Sequence, residues 1–571
     1  MITRYFYLTF NKSNFNKHEF FITKKFNCNK FLHEEYEMYI IGNPYFDNMY
    51  EVKSFYKDII LNKNNHNFLS KINSEFLIII INTKSMEIEV INSRFSSPVV
   101  FYSLTNNTFT ISNNLLINLM KRKNNDFKID HFAAWHFLKY RRIFGNRTLD
   151  VNTKFLESSS ILKFKNFKVY RETYFHPSYK KNNNNLSENA NLLNLNLKKN
   201  LEALSFGKHK LALALSGGTD TRLLLSNIKK DIDCYNYTYL KNRESLAAEK
   251  VCKELNKKFY WKKIPENIYI KTINRSSLVN SSMYMADGIH YTNEESFKNY
   301  EIVFSGYGLD FLFQGMYLPT KNYKFLSKPL YIKHLKKIKN NVINFFIENI
   351  SYKAKGFPID QLIDSGKISN YKNEIKLQLI KKYELINNLT DNIYDQFEYL
   401  SLSDVSRHYT YGGQLALGEV SNHLIPAYSN ELLELSQSIP EFQKIDGKIS
   451  KEAIKQNNPR LVEIINANHG FKMKYNSLQL TFFSGIKKII NPTRGKFHRT
   501  WKNMETVIRN ELHEKVLDLQ KTGNIYDLDF IDKSKLNLFL EDWKSNRVLG
   551  NHTLLLLITL NEFLNSVKKL K

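Results

Sequence analysis

Two regimes of hydrophobic patterning divide the chain. Up to residue 178, short runs of aromatic and β-branched residues alternate with Asn, Lys, Ser and Pro, as strands joined by turns do. The runs Arg4–Phe10, Glu37–Ile41, Glu75–Ile81, Glu87–Val90, Val99–Tyr102 and Thr108–Ile111 are predicted strands. Between Tyr179 and Ser187 the pattern lapses into Lys180-Lys-Asn-Asn-Asn-Asn-Leu186, the composition of a linker. Beyond it the period lengthens. Leucines over Asn189–Leu204 recur at helical spacing. Lys210-Leu-Ala-Leu-Ala-Leu215 is then a continuous apolar run, as in a strand buried on both faces. A Gly-rich turn follows, then a predicted helix Thr221–Ile228, strand Cys234–Leu240, helix Ser245–Leu255 and strand Phe259–Ile264. That alternation predicts a doubly wound parallel sheet. From Leu330 onward the pattern is mostly helical, and no internal repeat is visible.

The length of 571 residues exceeds one ordinary core, because domains run to roughly 100–200 residues. The expected division is a β-rich α+β domain over 1–178 and an α/β domain over 188–571, with 468–571 as its helical extension. A hydrophobic share of 42% excludes a wholly disordered chain. The net charge of +28 admits a polyanionic partner. The lysines, however, are spread among Asn, Ile, Tyr and Phe, as an AT-rich coding sequence produces, and a nucleic-acid partner is not expected. Cys28, Cys234 and Cys252 have no metal-ligand spacing and suit a reducing cytosol, so a cytoplasmic protein is expected. No apolar run approaches the ~20 residues that cross a bilayer, and Met1–Phe10 lacks the features of a signal peptide.

The sharpest local feature is Ser216-Gly217-Gly218-Thr219-Asp220-Thr221-Arg222, set between the apolar strand and its helix. Two glycines allow a tight turn whose N–H groups converge, and the helix start adds a positive dipole end. Ser216 and Thr221 add hydroxyls. Asp220 would repel a bare phosphate but suits Mg²⁺ bridging phosphate oxygens. The bland alternative is a Gly-Gly turn with an Asp helix cap. There is no Walker-type lysine.

This loop resembles the pyrophosphate loop of the ATP pyrophosphatase (PP-loop) enzymes. Glu301-Ile-Val-Phe-Ser305-Gly306-Tyr307-Gly308-Leu309-Asp310-Phe311 resembles the asparagine synthetase segment Ser-Gly-Glu-Gly-x-Asp-Glu. Leu424-Ile-Pro426-Ala-Tyr-Ser-Asn430 and Asp446-Gly-Lys448-Ile-Ser-Lys451-Glu-Ala-Ile454 resemble two further stretches of that family. Asn92-Ser-Arg94, Val99-Val-Phe-Tyr102 and Phe109-Thr-Ile-Ser112 are similar to the core of its glutaminase-type (Ntn-type) domain. The resemblance implies an ATP-dependent, AMP-forming carbon–nitrogen ligase with ATP and Mg²⁺ as cofactors. It implies Ser216, Gly217, Gly218, Asp220, Thr221, Ser305 and Gly306 on ATP and pyrophosphate, and Asp220 and Asp310 on the metal. It also implies Lys451 as a catalytic cation and Asp287 as a substrate-facing acid.

Two departures narrow the expectation. Ile2 stands where the family's glutaminase has its nucleophilic cysteine, so glutamine hydrolysis is not expected. Tyr307 replaces the family's Glu, as in β-lactam synthetase and carbapenam synthetase, where a Tyr paired with a carboxylate deprotonates the attacking amine. Glu398 and Asp404 are the candidate partners, because a Tyr with a pKa near 10 needs help to act as a base. The expected substrate is a small-molecule or peptide carboxylate closed intramolecularly, as by β-lactam synthetase or the lasso-peptide cyclases. Amidation of a sugar acid and a nucleotide-binding pseudoenzyme scaffold are the alternatives. A homodimer is compatible with this reading.

Overall fold

The computed structural model describes residues 2–570 except 12–17, 25, 48, 106–107, 123–125, 287, 340, 351–353, 404 and 491–503. Its N-terminal part is two antiparallel sheets packed face to face. One runs in the order Lys168–Thr173, Ser160–Lys165, Ile88–Asn92, Phe76–Asn82, Tyr36–Gly42, Cys28–His33. The other runs Thr153–Phe155, Phe101–Leu104, Thr108–Ser112, Phe6–Asn11, His18–Ile22. Phe6, Leu8, Phe10 and Ile111 meet Leu77, Ile79, Ile81 and Leu162 between the sheets. The alternate residues of the same central strand, Ile78 and Ile80, point outward onto Phe55, Ile59 and Leu69 beneath two short helices. Burial on both faces explains the unbroken apolar run Leu77–Ile81, each side chain of which contributes roughly 1.5–3 kcal/mol. Helix Leu115–Lys121 covers the other sheet, completing four layers, α/β/β/α.

The C-terminal part holds five parallel strands in the order Lys258–Lys263, Asp233–Thr238, Leu211–Ala214, Ile302–Ser305, His423–Leu424. The chain order reverses between Leu211–Ala214 and Ile302–Ser305, which makes their carboxyl ends a topological switch point, where a crevice opens. Both motifs singled out in the sequence leave the sheet there. The two-residue strand His423–Leu424 has no periodicity to betray it. The hairpin Thr320–Phe325/Lys328–Leu335 interrupts the otherwise helical remainder.

The stretch read as a linker is a strap. Lys181 donates to Asp395 at 2.6 Å and to the carbonyls of Gln437 and Ile439, and Asn185 caps helix Leu186–Leu204 with a capping box. Helix Asn551–Lys568, buried along most of its length, packs against helices Ile268–Val279 and His131–Tyr140, so the C-terminal extension touches both halves. Among the described residues no helix is long and apolar enough to cross a membrane.

Candidate active site

Strand Leu211–Ala214 delivers the chain into a ring closed on itself. The Ser216 N–H donates to Thr221 Oγ1 at 3.1 Å, and that hydroxyl donates back to the Ser216 carbonyl at 3.0 Å. Gly217 has no room for a side chain: a Cβ there would lie 2.7 Å from the Glu244 carbonyl and 2.9 Å from Ala467 Cβ. Above Gly218 the nearest atom to such a Cβ is Ser216 Oγ, so the loop's other face is open. Fully buried Arg222 clamps the ring from beneath. Its guanidinium donates to the carbonyls of Leu461 (2.9 Å), Ile464 (3.1 Å), Ile465 (2.9 Å) and Gly217 (3.2 Å). Ala467 N–H adds a bond to the Gly217 carbonyl at 3.0 Å, and Asn466 donates to Thr219 Oγ1 at 3.0 Å. Segment 461–467 is therefore the floor of the loop, a role that sequence reasoning missed. The carbonyls of Leu461, Ile464 and Ile465 that Arg222 binds lie some 240 positions away, and no local pattern marks them.

The second motif arrives from strand Ile302–Ser305. Ser305 Oγ donates to Gln414 at 3.0 Å and lies 2.9 Å from His423 Nε2. Gly306 presses its backbone against the first loop: a Cβ would fall 3.1 Å from Asp220 Cβ and 3.0 Å from the Thr221 nitrogen. Gly308, at φ 95°, then turns the chain into helix Leu309–Phe313, which presents Asp310. Gln314, one turn further on, donates to Asp220, and Asp310 accepts from the neighbouring Phe311 N–H at 3.0 Å.

Asp220 and Asp310 sense one another. Burial lifts the Asp220 carboxyl well above the usual range, with the charge of Asp310 as the next cause. Burial pushes Asp310 up to about 6. Neither forms an ion pair among the described residues, and no described group of three His, Cys, Asp or Glu could hold a metal by itself. A divalent ion here would take two protein carboxylates and draw its other ligands from phosphate oxygens and water, the habit of Mg²⁺.

Cations stand at the rim. Lys451, on helix Lys448–Asn457, has its pKa lowered by burial, with Asp446 opposing and Lys333 and Lys448 adding to the effect. His469 is pushed down to about 4 by burial and then by the charges of Lys451, Arg243 and the buried Arg222. Neither His469 nor Arg243 was foreseen.

Tyr307 is half-buried, its ring against Phe311, Tyr411 and Tyr428, and its hydroxyl accepts from Thr410 Oγ1 at 3.5 Å. Burial raises its pKa well above 10, with the charge of Asp310 and the nearby Tyr411 and Tyr284 contributing. Glu398 is placed elsewhere: it is fully buried in an ion pair with Lys444 at 2.7 Å, beside Tyr179. Asp404 and Asp287 lie outside the described residues.

The N-terminal domain reaches this wall. Tyr411 lies 2.7 Å from Ser97 Oγ, Ser97 donates to Glu75 at 2.5 Å, and Glu75 accepts from the Ile425 N–H at 2.9 Å. Buried Glu419 accepts from the Thr3 N–H, the Thr3 hydroxyl and the Arg4 N–H at 2.7–2.9 Å. A cavity of about 530 Å³ lies between the domains and is lined by Arg94, Arg171, Phe175, Lys382 and Glu398.

No protein-family model matches the sequence, and no curated protein matches it. Among solved structures, the chain is similar to an allosteric regulatory enzyme of purine biosynthesis, with 9% identity over 42% of this chain and 63% of that one, at a TM-score of 0.18. It is also similar to glutamine phosphoribosylpyrophosphate amidotransferase from B. subtilis complexed with ADP and GMP, with 7% identity over 41% and 72% and a TM-score of 0.17. Overlap at this level leaves function to be read from the site.

Proposed function

We propose that the chain is an ATP-dependent amide-forming enzyme that adenylates a small-molecule or peptide carboxylate, releases pyrophosphate, and passes the acyl group to an amine other than glutamine's. The observation that carries this reading is the contact of Gly306 with Asp220 and Thr221, which joins the glycine loop and the second acid at the switch point.

The N–H groups at the start of helix Asp220–Asn227 suit the phosphate chain, with the Ser216 hydroxyl as a further donor. Asp220 and Asp310 would hold Mg²⁺, whose charge, when bound, offsets their repulsion and that of the phosphates. A carboxylate oxygen of the substrate attacks the α-phosphorus, and the bond to the bridging oxygen breaks as pyrophosphate leaves. Lys451 is the cation we assign to the oxyanion that forms as the amine attacks the acyl carbon and AMP departs. The amine must then lose a proton. Tyr307 is the relay we assign to it: its hydroxyl takes the amine's proton while its own proton passes through the exposed Thr410 hydroxyl at 3.5 Å to water. The N-terminal domain, through Glu75, Ser97 and Tyr411, holds the aromatic wall on which Tyr307 leans.

The test is pyrophosphate release by the purified full chain over panels of carboxylates and amines with Mg²⁺. Turnover that requires both ATP and a carboxylate, and disappears in Asp220→Ala, is the expected result. ATP binding without pyrophosphate release across every pair, or release unaffected by Asp220→Ala, would overturn the assignment.

A further inference from the structure

The positive charge is less evenly spread than the composition suggests. Between Asp310 and Glu348 lie seven lysines and not one acidic residue, and between Glu463 and Glu505 lie eight Lys and Arg, again with no acid. The two acid-free segments meet in space. Hairpin Thr320–Phe325/Lys328–Leu335 packs on helix Ser477–Ile490, where the Tyr331 N–H donates to Thr481 Oγ1 at 3.0 Å. At its base, Lys333 pairs with Asp446 at 3.0 Å, and Ser477 donates to the same carboxylate at 2.9 Å. Lys321, Lys324 and Lys328 form no ion pair among the described residues.

The same surface is apolar where it should be polar. Phe325 is 66% exposed and Leu326, at the tip of the hairpin, 81%. Leu326 and Ser327 form the two-residue turn at φ 45° and 62°, left-handed positions that favour Gly or Asn, so a leucine costs stability there and packs on nothing. On the helix, Leu478, Phe482 and Ile486 recur every fourth residue as one exposed stripe, with Leu478 at 68% and Phe482 at 65%. Exposed apolar residues gathered this way mark a docking surface. Its chemistry selects the partner. A protruding apolar tip flanked by lysines fits a bilayer interface, with side chains in the acyl boundary and ammonium groups at anionic headgroups. A single-stranded nucleic acid calls for a basic groove lined with stacking rings, whereas the two most exposed apolar side chains of this surface, Leu326 and Leu478, are aliphatic and offer a base nothing to stack on.

We propose that the hairpin tip and the exposed stripe of helix Ser477–Ile490 dock the protein peripherally on an anionic lipid surface, beside the mouth of the site at Asp446 and Lys451. The proposal is independent of the chemistry assigned to that site.

The test is cosedimentation of the full chain with phosphatidylcholine vesicles, with and without phosphatidylserine. Binding is expected only with phosphatidylserine and should weaken as salt rises. Reversing Lys321, Lys324 and Lys328 to Glu should lower it roughly a hundredfold, each lysine counting for about a fivefold change. Leu326→Asn separates docking from folding. It should keep or raise the melting temperature, because Asn tolerates the left-handed turn, while Phe325→Ser with Leu326→Asn lowers vesicle binding severalfold. No binding to phosphatidylserine vesicles, binding indifferent to the apolar substitutions, or binding to RNA or an acidic peptide alone would each overturn the proposal.

Discussion

Buried acids occur both at the glycine loop and at the seam between the domains, and the protein treats them in opposite ways. At the seam each has a partner: Glu398 has Lys444 at 2.7 Å, Asp395 has Lys181 at 2.6 Å, and Glu419 accepts three hydrogen bonds from Thr3 and Arg4. At the loop, Asp220 and Asp310 face one another with only Gln314 and a backbone N–H in support. Like charges drawn from water repel, and folding alone does not favour keeping both. The seam is arranged for stability, whereas the loop is arranged for a guest cation.

The largest effect that separates the two regions is on turnover. Asp220→Ala should lower pyrophosphate release by roughly a thousandfold or more, since it removes a metal ligand at the phosphate chain, while the metal-free chain stays as stable or becomes more so. A rate within tenfold of wild type would remove the loop from the chemistry. At the seam the loss falls on stability instead. Lys444→Met strands Glu398 in the interior and should cost about 3–5 kcal/mol in denaturant unfolding. Adding Glu398→Gln should recover most of that loss. A Lys444→Met chain as stable as wild type would mean that the pair is not desolvated as its burial implies.

The contrast also explains what the sequence made legible. The loop was readable because its chemistry is local: Gly217, Gly218 and Asp220 sit within five residues, and Ser305 to Asp310 within six. The parallel strands were readable because strands such as Leu211–Ala214 and Ile302–Ser305 are short apolar runs between helices. In the N-terminal half, His18–Ile22, Cys28–His33, Ser160–Lys165 and Lys168–Thr173 escaped. Lys168–Thr173 and Cys28–His33 are edge strands with mixed, half-exposed residues, so packing imposes little pattern on them. The strap at 181–185 looked like a linker because asparagines that cap a helix and pair with a neighbouring segment have the composition of asparagines in water. The partner of Tyr307 was illegible for another reason. Thr410 lies 103 positions away and bears no mark of its contact, whereas the acidic Glu398 attracted attention and is committed to Lys444.

A smaller effect sharpens the comparison through pH. Asp310, partly buried, titrates at about 6 in the folded metal-free chain and near 3.9 in an unfolded one. Between those values the folded state holds a proton that the unfolded state has lost. The stability this group contributes is therefore full below about pH 4 and lost as pH rises through about 6. Asp310→Asn, permanently neutral, should gain on the order of 1–2 kcal/mol over wild type at pH 7.5 once solvent screening is allowed for, and nothing below pH 4. Mg²⁺ should raise the melting temperature of wild type at pH 7.5 but not that of the variant. A seam acid such as Glu431, held below its usual range despite burial by Ser429, Asn73 and Lys199, would show the reverse slope.

The smallest effect falls on the second half of the reaction alone. Thr410 reaches Tyr307 by one long hydrogen bond of 3.5 Å, and a neutral hydroxyl bond contributes about 0.5–1.5 kcal/mol. Thr410→Val, which keeps the shape and removes the donor, should slow amide formation by roughly two- to tenfold. The carboxylate-dependent exchange of pyrophosphate into ATP, which reports adenylation only, should not change. Tyr307→Phe should impair amide formation further and likewise spare exchange, because the phenol is assigned to the amine's proton and not to the phosphate chain. If both substitutions slowed exchange and amide formation equally, Tyr307 and Thr410 would be packing around Asp310, 5.3 Å ring contact with Phe311 included, and the base would have to be sought elsewhere.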